Sequence, residues 1–107
     1  MIAIDDFGKV EMRVGLVEEA INAEGSEKLI RLKVNFGEEM RVIFTGVRKW
    51  YEAEFFVGKK FVFVTNLEFR KMMGEESQGM ILASEGESGV PVFVQAGEGA
   101  LPGDKVM

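Results

Sequence analysis

Ser77-Gln78-Gly79-Met80 sets a hydroxyl, an amide and a thioether around a glycine, and glycine lets another molecule approach the backbone closely. Just upstream, the stretch from Asn66 to Gly74 offers a paired donor and acceptor at Asn66 and two adjacent cations, Arg70 and Lys71. Groups of this kind capture a ligand through polar and ionic contacts. Met72-Met73, in the same stretch, reads as packing or interface filler. Trp50, Tyr51 and Phe69 are of the type that stacks on nucleic-acid bases, although at least two of the three are expected in the core.

Covalent and metal chemistry finds little support. The chain has no histidine and no cysteine, which removes the commonest general base and metal ligand, and thiolate sites with them. Ser77, Ser84 and Ser88 have no partner in view that would activate a hydroxyl. The acidic pairs Asp5-Asp6, Glu38-Glu39 and Glu75-Glu76 read as solvated turns, because neighbours in sequence seldom converge on one site. No phosphate-cradling glycine motif is present. The expectation is a binding module without catalytic residues, metal or cofactor.

The net charge of −5 argues at first against a polyanionic partner. Its distribution does not. Residues 1–27 hold two basic and seven acidic side chains, residues 28–74 ten and five, and residues 75–107 one and six. A basic middle between acidic flanks is a localised footprint that the global sum conceals, unless it is ordinary solvated strand surface. No apolar run approaches the ~20 residues that span a bilayer, and no basic-then-apolar leader follows Met1, so a cytoplasmic protein with no membrane partner is expected.

The elements that must position these groups read mainly as short strands in a chain of one-domain length, 107 residues. Val10, Met12 and Val14 alternate with charged residues, and Gly15 interrupts them where a bulge would let a small sheet curl. Ile30, Leu32, Val34 and Phe36 then point one way and Arg31, Lys33 and Asn35 the other. After a turn at Gly37-Glu38, Met40, Val42 and Phe44 continue as a hairpin partner, which places Arg31, Lys33 and Arg41 together on the outer face. Val47 to Val57 fits a short plug helix closed by Gly58, and the segment from Lys60 to Thr65 fits a strand buried on both faces. Residues 66–79 read as a loop, with short strands at Met80 to Ala83 and at Val92 to Val94. The pattern predicts an all-β chain. A five-stranded OB-fold barrel fits best, with about 1–84 as barrel and about 85–107 as a C-terminal extension; a six-stranded barrel or small sandwich fits the periodicity nearly as well.

Several segments in order carry a resemblance. Asp5 to Gly15 (DDFGKVEMRVG) is similar to the "DFxKVxLRVG" opening of the tRNA-binding domain family, and Gly25-Ser26-Glu27-Lys28-Leu29 to its "GSDKL" turn. Thr45-Gly46-Val47 with Tyr51 resembles "SGIxxxY". Asn66 to Gly74 followed by Ser77 to Ala83 resembles "NLKPRKLMGxxSQGMLLA", and Pro102 to Val106 resembles "PGxKV". Glu68-Phe69 stands where that pattern has Lys-Pro, and Trp50 where a smaller aromatic is usual.

The resemblance implies an OB fold with a C-terminal extension that serves dimerisation, a homodimer, and a folded tRNA as partner. The Ser-Gln-Gly-Met form favours the branch of the methionyl-tRNA synthetase C-terminal domain over the export-chaperone branch, which makes a synthetase catalytic domain or chain a further expected partner. Lys28, Lys33, Arg41 and Arg70 are then the expected phosphate contacts, about four in number. Asn66, Ser77 and Met80 are expected to shape the pocket or to make close polar and stacking contacts. The competing readings are a protein-interaction or chaperone module on the same barrel and a general single-strand nucleic-acid binder.

Overall fold

The computed structural model describes residues 1–107. Ten strands follow a short helix α1 (Ile4–Phe7): β1 (Met12–Asn22), β2 (Ile30–Asn35), β3 (Met40–Thr45), β4 (Lys60–Val64), β5 (Arg70–Met72), β6 (Glu75–Ser77), β7 (Met80–Ile81), β8 (Ala83–Glu85), β9 (Pro91–Phe93) and β10 (Lys105–Val106). The main sheet runs β3-β2-β1-β4-β7, with β10 added alongside β1. It curls into a nearly closed five-stranded barrel of the OB type, the architecture that the strand pattern favoured. No helix is long and apolar enough to cross a membrane.

β1 is long enough to serve both halves of the barrel. Met12 to Leu16 pair with β4, and Leu16 to Asn22 pair with β2. The bend lies between Val17 and Glu19, where the register with β2 shifts, and not at Gly15, which pairs regularly with Phe61. Gly15 is needed for another reason. A Cβ there would sit 2.5 Å from Val34 Cγ1, 2.8 Å from Phe63 and 2.9 Å from Phe36. The glycine is the hole into which those three side chains pack.

The inward row of β2 is as the alternation predicts: Ile30, Leu32, Val34 and Phe36 are all at most 2% exposed. Full burial of each such side chain contributes about 1.5–3 kcal/mol. β3 differs. Its register pairs Val34 with Arg41, Leu32 with Ile43 and Ile30 with Thr45, and paired residues share a face. Arg41 therefore lies on the core side of the sheet, and the expectation that it joins Arg31 and Lys33 outside is corrected. Met40, Val42 and Phe44 are the outward row, and Phe44 is still only 7% exposed. What covers it is the segment expected to be a loop: residues 70–77 form the β5–β6 hairpin instead. Both residues of its tip take positive φ, Met73 at 50° and Gly74 at 80°.

Ser77 and Gln78 close the barrel by continuing the ladder with side chains. Gln78 donates its backbone N–H to Val42 O (2.8 Å) and accepts the Val42 N–H on its side-chain oxygen (2.9 Å). Ser77 Oγ accepts the Phe44 N–H at 3.1 Å. At the opposite end the plug is a single 3-10 turn, Ala53–Phe56, that buries Ala53 and Phe56. Tyr51, Phe55, Phe56 and Phe93 pack edge to face or tilted at 4.7–6.4 Å between ring centroids. The Tyr51 hydroxyl donates to Pro91 O at 2.6 Å. Residues beyond β9 return along the barrel: Val62 N donates to Val94 O, Ala96 N to Lys60 O, and β10 pairs with Met12 and Arg13 of β1.

Candidate nucleic-acid interface

The hairpin, the end of β3 and the start of β7 enclose a pocket of about 630 Å³. That volume lies within the usual range of small-ligand sites. Phe44, Thr45 and Gly46 form the barrel wall. Leu67, Glu68, Arg70 and Met72 form the hairpin wall, and Ser77, Gly79, Met80 and Ile81 close the side between them. Gly79 holds its place because a Cβ would meet Val64 O at 2.9 Å and Ile43 Cδ1 at 3.1 Å. Met80, 46% exposed, presents its thioether at the rim.

The wall is held by one fork. Arg31, on the outer face of β2, donates from Nε and Nη2 to the two carboxylate oxygens of Glu75 at 2.9 and 3.0 Å. Those hydrogen bonds, and then the Arg31 charge, hold the Glu75 carboxyl below its ordinary range, and the same bonds raise the Arg31 guanidinium. Beyond the fork the hairpin tip reaches the β1–β2 turn, where Met73 Cε lies 3.0 Å from the position a Gly25 Cβ would take.

Three of the seven residues singled out from the sequence line this pocket: Arg70, Ser77 and Met80. Ser77 is 5% exposed and its hydroxyl serves barrel closure, so its part is to shape the wall. Asn66 is adjacent in sequence but turned elsewhere. Its side-chain oxygen accepts the Glu11 N–H (2.8 Å) and its NH₂ donates to Lys9 O (2.7 Å), tying the segment before β1 to the end of β4.

The four cations do not form one row. Arg41 is spent inside the fold: Nη1 donates to Thr65 O (2.6 Å) and Gln78 O (2.9 Å), and Nε to Glu39 (3.0 Å). Its guanidinium lies 5.9 Å from the Phe36 ring centroid and 5.6 Å from that of Phe69. Lys33 is outward but pairs with Glu19 across the strands at 3.4 Å. Lys28 is exposed in the turn ahead of β2 and makes no ion pair, and Arg70 and Lys71 of β5 make none either.

Residues outside those seven also matter here. Glu68 stands in the pocket wall as an unpaired anion, and Gln78 and Arg31 hold the walls together. No local pattern signals the fork, because Arg31 and Glu75 are far apart in the chain, and Glu75, expected in a solvated turn, is instead ion-paired on β6. Of the three aromatics, only Tyr51 packs into the core cluster. Trp50 is 40% exposed and Phe69 44%, which corrects the expectation that at least two are core residues.

A small five-stranded barrel with a cleft beside its second and third strands defines a ligand-binding OB module. Comparison with known proteins narrows this. Residues 12–105 match the family model described as "Putative tRNA binding domain", and the chain belongs to that family of non-catalytic binding domains. It is 51% identical over 86 residues to a methionine–tRNA ligase of Caldanaerobacter subterraneus, covering 80% of this chain and 14% of that protein. Against the methionine–tRNA ligase of Deinococcus radiodurans it is 47% identical over 89 residues, covering 83% and 13%. The chain thus spans about one seventh of the length of these relatives. Among solved structures it is similar to a MetRS-related protein from Pyrococcus horikoshii (TM-score 0.95, 40% identity, 100% and 98% coverage). It is also similar to the chaperone CsaA from Bacillus anthracis (TM-score 0.89, 28% identity, 100% and 99% coverage).

Proposed function

We propose that this chain is a tRNA-binding module of the methionyl-tRNA synthetase type, which grips folded tRNA by its shape and its phosphates across the hairpin pocket. The observation that carries the reading is the unpaired Arg70 on the wall of a preformed pocket, in a chain matched to the tRNA-binding family over residues 12–105. Phosphate contacts position a protein on RNA without reading sequence, so the module serves many tRNAs alike. Lys71, on the other face of the same strand, and Lys28, in the turn that the hairpin tip reaches, are further unpaired cations flanking the pocket. Arg41 and Asn66 act as positioning residues behind it.

Joined to a synthetase catalytic domain or chain, the module raises the local concentration of tRNA there, an effect of linkage that needs no new contact with the substrate. A homodimer would present two such pockets. Self-association would use the C-terminal extension, where Val92 of β9 is an exposed apolar side chain, and sedimentation of Val92→Glu against the parent chain tests it.

Three free cations imply a log–log salt slope near −2 to −3. The test is a gel-shift competition of folded tRNA against unfolded RNA across a salt series. Preference for folded tRNA with that slope supports the reading. Equal binding of both RNAs points to a general single-strand binder. No retention at low salt points to the protein-binding role of a CsaA-like chaperone.

A further inference from the structure

The pocket wall carries an anion where an RNA site should avoid one. Glu68 and Arg70, two residues apart on the hairpin arm, both line the cavity, and neither pairs with the other or with any neighbouring side chain. Apart from the buried Thr45 and Ser77 and two glycines, the remaining lining is apolar, and most of it is soft: Met72, Met80, Leu67, Phe44 and Ile81. A phosphate group satisfies Arg70 and leaves Glu68 unanswered. An aliphatic peptide side chain fills the apolar part and uses neither of the two exposed charges. A nucleotide answers all three features, with its phosphate on Arg70, donors of one base edge on Glu68 and its ring against the thioethers.

We propose that the pocket receives one unpaired guanine splayed out of the folded RNA, with Glu68 as its specificity-determining residue; this rests on the tRNA-binding reading above. Guanine presents N1–H and N2–H₂ on its Watson–Crick edge, which a carboxylate accepts as a fork, while Arg70 keeps its phosphate contact. Adenine offers a carboxylate one amino group. Cytosine offers one amino group, and uracil a single N–H. Thioethers from two different elements, Met72 of β5 and Met80 of β7, supply polarizable contacts to the ring. Bases of single-stranded RNA segments are commonly read in this way, splayed out and hydrogen-bonded on their edges.

The test uses the whole chain with ¹³C-methyl methionine, titrated with GMP, AMP, CMP and UMP, alongside gel shifts with folded tRNA. GMP shifts the Met72 and Met80 methyl signals and binds about tenfold tighter than AMP, the discrimination of roughly one good bidentate pair. Glu68→Gln brings GMP to within about threefold of AMP and weakens tRNA binding by no more than about tenfold, while the salt slope stays that of the parent chain because the phosphate contacts remain. Equal binding of all four nucleotides, methyl shifts away from Met72 and Met80, or an unchanged guanine preference in Glu68→Gln would overturn the pocket assignment. If tRNA is still retained in those cases, the tRNA-binding reading stands without it. Loss of tRNA binding in the parent chain overturns that reading itself.

Discussion

Two regions of the molecule, the surroundings of Phe36 and the hairpin, treat their cations in opposite ways. Around Phe36, Arg13 and Arg41 share Glu39, both guanidinium groups lie over the Phe36 ring, and Arg41 also binds two backbone carbonyls. Every charge there is spent on the fold. At the hairpin, Arg70, Lys71 and Glu68 are exposed and make no ion pair. Arg41, Arg70 and Lys71 come from the same basic middle of the chain, and Arg13 from the acidic segment before it. A cluster of cations in sequence is therefore a reservoir, and the fold decides which members stay free to meet a partner.

The largest expected effect is on the closed region. Arg41→Ala, whose side chain is 14% exposed, leaves the Thr65 and Gln78 carbonyls without their donor and should cost about 3 kcal/mol, read as a lower denaturant midpoint. The salt slope of tRNA binding by the folded fraction stays as it was. Arg70→Ala should do the reverse. Its unfolding free energy stays within about 0.5 kcal/mol of the parent chain while tRNA affinity falls roughly tenfold in a gel shift. If Arg70→Ala destabilises the fold as much as Arg41→Ala does, the contrast between the regions fails.

The fork that holds the hairpin sharpens the comparison through pH. Glu75 and Glu39 both have lowered carboxyl pKa values, chiefly through hydrogen bonds from Arg31 and Arg13 respectively. A depressed carboxyl contributes its stabilisation fully above the unfolded value of about 4.3 and loses it as pH falls through the folded one. The hairpin anchor should thus be intact at pH 7 and release only as pH falls below the ordinary carboxylate value. The amide shifts of Lys71 and Glu76 report this. Glu75→Gln should remove that transition from the hairpin and leave the one at Glu39. The smallest effect is expected of Lys33→Ala. Its pair with Glu19 is exposed, 44% and 67% at the side chains, so both stability and tRNA affinity should move by less than about threefold in equilibrium terms.

The strands were legible wherever one face alone was buried. The row Ile30, Leu32, Val34 and Phe36 is a plain period of two, and all four residues are core. β3 was misread in phase because both of its faces are covered, one by the barrel interior and the other by the hairpin over Val42 and Phe44. That cover was itself hidden. Its tip is Met73-Gly74, both at positive φ, and lacks the Asn-Gly or Asp-Gly pair that marks such turns. Gly15 was seen as special, but for a bulge, whereas its need for a bare Cα comes from Val34, Phe36 and Phe63, residues far along the chain. The pocket was half legible for the same reason. Arg70, Ser77 and Met80 lie in one motif and line it together, whereas the fate of Arg41 and Asn66 depends on long-range carbonyls and amides that no local pattern reveals.

The account stands on free hairpin cations, and not buried ones, meeting RNA phosphates. Its most direct test is the slope of log affinity for folded tRNA against log salt, measured for the parent chain and for Arg70→Ala. The slope should become shallower by nearly one, the share of one phosphate contact. An unchanged slope and affinity in Arg70→Ala would contradict the account.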